Sequence, residues 1–152
     1  MTDQPHTLRV LCVDDNEMVS QALRRRLADE PGLEWAGVVR DGGEAFERVR
    51  QVRPDVVLMD IDMPGVDTFA IVARLSAEVP DSRVVMFSGH INPGYIDRAL
   101  DCGAWGYLSK NDDVSALMDG IRLVGRGEIA MSHDVETVLN NQRTSRGLPD
   151  SA

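Results

Sequence analysis

Five polar residues stand out in the 152-residue chain because each follows or closes a short apolar run. Asp14 and Asp15 follow Leu8-Arg9-Val10-Leu11-Cys12-Val13, Asp60 follows Val56-Val57-Leu58-Met59, Ser88 follows Val84-Val85-Met86-Phe87, and Lys110 follows the run from Trp105 to Ser109. If these positions converge, three carboxylates repel one another unless a cation sits among them, and oxygen-only ligands with room for water suit Mg²⁺. Lys110 adds a second positive charge and Ser88 a hydroxyl. A carboxylate in such surroundings is arranged to act as a nucleophile on a phosphoryl group, whose charge spreads over its equatorial oxygens.

The elements needed to bring them together are legible as an alternation of short apolar runs with helix-length amphipathic segments, the pattern of a parallel sheet covered on both faces. After the strand Leu8 to Val13, Asp14, Asp15 and Asn16 offer a helix cap, Val19, Leu23 and Leu27 repeat on a buried face, and Pro31-Gly32 stops the helix. Leu33 to Val39 reads as a weaker second strand. Asp41-Gly42-Gly43 opens a helix that turns Ala45, Phe46 and Val49 to the core and closes at Pro54. Val56 to Met59 is the β-prone centre of the sheet. Met63-Pro64-Gly65 makes a turn, and Phe69, Val72 and Leu75 mark the next helix. Asn92-Pro93 starts another through Ile96, Ala99 and Leu100, with Gly103 as its C-terminal glycine. Trp105 to Ser109 is the fifth strand, and Val114, Leu117, Met118, Ile121 and Val124 keep helical spacing.

The expected fold is therefore α/β, a flavodoxin-like (βα)5 doubly wound parallel sheet in the order 2-1-3-4-5. In such a sheet the carboxyl ends of the strands converge on one crevice, which is where the five polar residues lie. Residues 1–126 are read as the domain and 127–152 as a C-terminal extension or linker, with one short helix over His133 to Asn141 and a polar tail from Gln142 to Ala152.

Composition narrows the function classes. A formal net charge of −9 repels a phosphate backbone, so direct nucleic-acid binding by this chain is not expected. The start, Met1 to Thr7, lacks a basic region followed by an apolar stretch, and no run approaches the length of a membrane helix, so the chain reads as cytoplasmic with no membrane partner. Cys12 and Cys102 lack metal-ligand spacing and read as packing residues. His6, His90 and His133 lack zinc-site spacing. Arg24-Arg25-Arg26 reads as a solvated helix face.

Four stretches resemble the receiver domain of bacterial two-component response regulators: Val13-Asp14-Asp15, Leu58 to Gly65 with Asp60-Ile61-Asp62-Met63-Pro64, Phe87-Ser88-Gly89-His90, and Gly103 to Lys110. The resemblance as a whole runs from about Leu8 to Val124. The resemblance implies Asp60 as phosphoacceptor, Asp14, Asp15 and Asp60 with the backbone carbonyl of Asp62 around Mg²⁺, and Ser88 and Lys110 on the phosphoryl oxygens. It also implies Tyr107 as an aromatic switch together with Ser88, with Asp62 and His90 tuning access. The implied donor is a sensor histidine kinase, and homodimerisation on activation is one implied outcome. Such a domain is a phosphoacceptor rather than a turnover enzyme. Gly127 to Ser132 resembles the segment after the receiver in NarL-type regulators, which leads to a helix-turn-helix domain in transcriptional control. Two departures stand out: Thr68 where the family commonly has glycine, and Asn111 where it often has proline.

Taken singly, each feature has a plainer reading. Asp14-Asp15 could cap a helix, Asp60 could sit in a turn, Ser88-Gly89 in a loop, and a lone lysine is usually solvated. Joint placement at strand ends outweighs these. A rival class is the Mg²⁺-dependent haloacid-dehalogenase-type phosphatase, which Asp60-Ile61-Asp62 also resembles. Its nucleophile strand normally opens the domain, whereas Asp14-Asp15 comes first here. An FMN module of flavodoxin type is disfavoured because an acidic crevice repels the FMN phosphate.

Overall fold

The computed structural model describes residues 7–145. Its core is a parallel sheet of β1 (Leu8–Val13), β2 (Leu33–Val39), β3 (Val56–Met59), β4 (Arg83–Ser88), β5 (Gly106–Ser109) and β6 (Ala130–Met131). The order is β2-β1-β3-β4-β5-β6. The expected five-strand order is present and is extended by one strand. The helices are α1 (Glu17–Ala28), α2 (Ala45–Val52), α3 (Thr68–Glu78), α4 (Pro93–Asp101), α5 (Val114–Gly125) and α6 (His133–Ser145), and a 3-10 turn at Gly42–Glu44 leads into α2.

Strand alternation divides the core in two. Leu11, Val13, Val57, Met59, Met86 and Tyr107 face one way, onto α2, α3, α4 and α6. Val10, Cys12, Leu58, Val85, Phe87 and Leu108 face the other, onto Leu23 and Leu27 of α1 and Leu117, Met118, Ile121 and Val124 of α5. β3 is buried along its whole length, as its uninterrupted apolar run requires of a strand covered on both faces. Truncating a fully buried residue such as Leu75 to alanine costs about 2–5 kcal/mol.

Helix starts follow side-chain caps. Asn16 accepts from Met18 N and Val19 N, Asp67 from Ala70 N, Asn92 from Tyr95 N with Pro93 just inside the helix, and Asp113 from Ser115 N. Gly103 ends α4 with φ of +96°, and a Cβ there would stand 2.1 Å from Ser76 Oγ, so both conformation and space require glycine.

The segment after α5 is where expectation and structure differ most. Ala130 and Met131 pair with Gly106 and Tyr107 as a parallel strand, and a Cβ on Gly106 would lie 1.9 Å from Ala130 O, so only glycine lets the two backbones come this close. The expected short helix runs further, from His133 to Ser145, so the tail expected from Gln142 begins inside α6; its remainder, like His6, lies outside the described residues. Val135 is fully buried, and Val138 and Leu139 pack on the same core as α4. Phe46, half-buried beneath the Arg74 guanidinium, and Cys102, half-buried where Cys12 is fully so, both pack on the core as expected. Among the described residues no helix is long and apolar enough to cross a membrane.

Candidate functional site

The sheet's hydrogen bonding continues past the strand ends and places the polar residues. Asp14 N donates to Val39 O (3.0 Å), Asp60 N to Val13 O (2.9 Å) and Lys110 N to Ser88 O (2.9 Å). Three residues distant in sequence are thus fixed by the backbone of neighbouring strands. Because Asn16 caps α1, the acidic pair before it is left for other duty. Asp14 turns inward and is 1% exposed, with Oδ1 accepting from Asn16 N (2.8 Å), while Asp15 is exposed.

Lys110 Nζ reaches 2.7 Å from Asp14 Oδ2 and 3.4 Å from Asp60 Oδ1, and lies 5.6 Å from the centroid of the Phe87 ring. Asp60 is 4% exposed, and its Oδ1 also accepts from Asp62 N at 3.3 Å. Burial, and after it the Asp14 carboxylate, holds the Asp60 carboxyl above the usual carboxylate range, with Lys110 and the Asp62 N–H acting in the opposite sense. Burial also disfavours the Lys110 ammonium, but Asp14 and Asp60 outweigh it and keep the lysine charged beyond its ordinary range.

Among the described residues, Asp14, Asp15 and Asp60 each present a carboxylate oxygen, all within 4.8 Å of one another. Asp14 Oδ2 is buried and accepts no well-aligned hydrogen bond, its charge met only by the ammonium. A buried carboxylate oxygen left this way, beside two more carboxylates, fits a hard divalent cation bound through oxygen.

Ser88 closes β4 on the strand next to Asp60, fully buried, with Oγ accepting from His90 N at 2.9 Å. Tyr107 is also fully buried, its hydroxyl donating to His90 O. Burial pushes its phenol up to about 12, against the influence of the facing Ser88 hydroxyl. The ring therefore lies inward, beside Ser88. His90 Nδ1 pairs with Asp62 Oδ2 on the exposed rim, so the two residues expected to tune access touch each other. Arg24, Arg25 and Arg26 lie exposed on α1, as a solvated helix face.

Two features of the site were not visible in the sequence. Thr68, the departure from glycine, is 3% exposed and donates its hydroxyl to Ile61 O at 3.0 Å, tying down the loop after Asp60. A hydroxyl at the first position of a helix was the available signal, but it names no partner. Ser109, between Tyr107 and Lys110, donates its N–H to Ser132 Oγ (2.6 Å) and its hydroxyl to Asp134 Oδ2 (3.0 Å). Ser132 and Asp134 read in sequence as a helix start, with nothing to say that they face β5.

Comparison with known proteins gives the family. The sequence profile of the response regulator receiver domain matches residues 10–122. The chain belongs to the response regulator receiver family. This receiver is 35% identical over 132 residues to the response regulator GacA of Pseudomonas viridiflava, covering 87% of the chain and 62% of that protein. It is 35% identical over 120 residues to the transcriptional regulatory protein DegU of Brevibacillus brevis, covering 79% and 51%. The chain thus spans between half and two thirds of the length of these curated relatives. Among solved structures it is similar to a LuxR-family two-component response regulator from Aurantimonas sp. SI85-9A1, with a TM-score of 0.85, 29% identity, and coverage of 91% of this chain and 99% of that one. The signal receiver domain of a NarL response regulator from Mycobacterium tuberculosis gives 0.69, 30%, 78% and 98%. Receiver domains are signalling proteins rather than turnover enzymes, and magnesium and an aspartyl phosphate are typical of the family.

Proposed function

We propose that this receiver accepts a phosphoryl group on Asp60 from a phosphohistidine of a sensor kinase. An Asp60 carboxylate oxygen attacks phosphorus, the phosphorus–nitrogen bond to the donor breaks, and an acyl phosphate forms while the imidazole leaves. The observation that carries the reading is Lys110 Nζ standing between the buried carboxylates of Asp14 and Asp60. An ammonium held there by backbone-fixed partners is already in place for the charge that develops on the phosphoryl oxygens. Asp14, Asp15, Asp60 and the backbone carbonyl of Asp62 would hold Mg²⁺, which when bound supplies positive charge against both the carboxylates and the incoming phosphoryl group. Ser88, at the adjoining strand end, would donate its hydroxyl to a second phosphoryl oxygen. His90 and Asp62 would set how readily donor and water reach the site from the rim.

The role in the cell is that of a cytoplasmic relay whose output is transcriptional control, exerted through a domain outside the described residues or a separate partner. Support comes from the regulator names of the relatives. Asp62, which a phosphatase of the haloacid-dehalogenase type would need as a general acid, is instead paired with His90. Incubation with acetyl phosphate and Mg²⁺ followed by intact-mass measurement tests the assignment. One phosphoryl group should add to the parent and none to Asp60→Asn. Equal labelling of the two would place the acceptor elsewhere.

A further inference from the structure

The β5–α5 corner carries Lys110, and the hydrogen bonds around it come from two sides. On the inner side Lys110 N donates to Ser88 O at 2.9 Å, as a continuation of the β4–β5 ladder. On the outer side the holding groups come from the segment beyond α5. Ser132 N donates to Tyr107 O at 3.1 Å, Ser132 Oγ accepts from Ser109 N at 2.6 Å, and Asp134 Oδ2 accepts from the Ser109 hydroxyl at 3.0 Å. Ser109 Oγ in turn accepts from Asn111 N at 3.1 Å. Residues 109 and 111 flank Lys110, so the peptide carrying the lysine is tied on both sides.

The proton directions make this chain of contacts specific. A serine hydroxyl has one proton and two lone pairs. The Asp134 carboxylate takes the proton, which turns a lone pair of Ser109 Oγ toward Asn111 N–H. Asn111 can take part only because it has an N–H, which a proline at that position would lack. Ser132 stands where the cap of α6 would be, yet its hydroxyl is directed to β5. Ser109 is 1% and Ser132 5% exposed, so these bonds are shielded from water, and losing one leaves a buried polar group without a partner.

We propose that Ser132 and Asp134 are positioning residues for the phosphoacceptor site, fixing Lys110 through Ser109 and making the state of Asp60 legible at α6. Lys110 contacts Asp14 and Asp60 at one end and rides on the latched corner at the other, so a phosphoryl group that draws the ammonium toward itself pulls on Ser109 and, through it, on the first turn of α6. The coupling is reciprocal, since any shift that α6 imposes on acceptor affinity must be matched by a shift that the acceptor imposes on α6. The sequence profile of the family ends at residue 122, so both residues lie beyond it. The inference rests on Asp60 as acceptor.

The test uses the full chain and beryllofluoride, a phosphoryl mimic, at saturating Mg²⁺, with affinity followed by NMR. Ser132→Ala and Asp134→Ala should each bind beryllofluoride about fivefold or more weakly, the lower end of ordinary coupling between sites. Ser132→Thr, which keeps the hydroxyl, should recover most of the affinity. Leu75→Ala, a cavity in α3 remote from the corner, should lower the melting temperature and keep the affinity. Amide exchange adds a readout independent of the mimic: Asn111 N–H should exchange faster in Asp134→Ala, and in the parent beryllofluoride should change exchange along the first turns of α6. Folded Ser132→Ala and Asp134→Ala that bind beryllofluoride as the parent does, with unaltered Asn111 exchange, would overturn the positioning role while leaving Asp60 as acceptor. A parent that does not bind beryllofluoride at Asp60 would overturn both readings.

Discussion

Lys110 Nζ is closer to Asp14 than to Asp60, 2.7 Å against 3.4 Å, although Asp60 is the proposed acceptor. The ammonium thus compensates first the more deeply buried carboxylate. The same geometry makes the lysine part of the fold's stability as well as of its chemistry.

Lys110→Ala should accordingly destabilise the protein in the absence of divalent metal by about 1–3 kcal/mol, because it leaves the Asp14 carboxylate buried without its counter-charge. For a domain of this size that is roughly 2–4 °C of melting temperature per kcal/mol. Saturating Mg²⁺ should narrow the deficit by supplying positive charge at the same oxygens. Parallel melts in EDTA and in Mg²⁺ make the comparison, and an unchanged deficit would mean that metal and ammonium do not share Asp14.

Asp60→Asn should be more stable than the parent near neutral pH in EDTA. The Asp60 carboxyl is held above its ordinary range by burial and by Asp14, so the folded state binds that proton more tightly than the unfolded chain does. The associated stability is complete below about pH 4, the ordinary carboxylate value, and is lost as pH rises through the folded value. Asparagine has nothing to lose over that window, so the gap should open with rising pH. Urea titrations at several pH values measure it; a gap independent of pH would contradict the electrostatic account.

Asp15→Ala should remove most of the thermal stabilisation that Mg²⁺ gives the parent. Asp15 is the exposed member of the three-carboxylate group, so its loss costs little folding energy and the comparison stays clean. An equal rise in melting temperature for both proteins would put the metal elsewhere.

Tyr107 should stay neutral in the folded protein at about pH 10–11, where an exposed tyrosine ionises. Its phenol is pushed up to about 12, first by burial. The stability linked to it is complete below about pH 10 and declines as pH rises toward that folded value. Absorbance of phenolate in Tyr107→Phe and the parent separates this residue from Tyr95. Tyr107→Phe should also cost about 1–2 kcal/mol, since His90 O loses its donor. Early ionisation of Tyr107 in the folded state would show that the ring is not held inward.

Much of this was legible from strand ends. β3 reads as the centre because four apolar residues in a row need cover on both faces, and Asp60 follows at once from where that run stops. The acidic pair was harder to judge, because a cap and a metal ligand are written with the same residues. The structure separates them by one position, with Asn16 taking the cap. Tyr107 could be placed on β5 but not in or out, since either face of an edge strand tolerates an aromatic and only β6 and α6 make the inner side dry. β6 itself has two residues, too short for any periodicity, and its cause lies in the partner strand, where Gly106 permits the approach. Ser132 and Asp134 have helix-start chemistry in sequence. Their reach across to Ser109 depends on tertiary placement that no local pattern encodes.

β6 has one further effect, on solubility. Ala130 N donates to Trp105 O and Ser132 N to Tyr107 O, so this short strand occupies the hydrogen-bonding groups along the outer side of β5. A fragment cut after α5 would bare those carbonyls on a strand that also carries Tyr107 and Leu108, and would uncover the apolar seat of Val135. An open strand edge of that kind is a template for another chain. The two-residue outer strand is itself too short to serve as one, so the protein ends its sheet on a side that discourages clumping, and cutting it back would favour fragments that associate with one another.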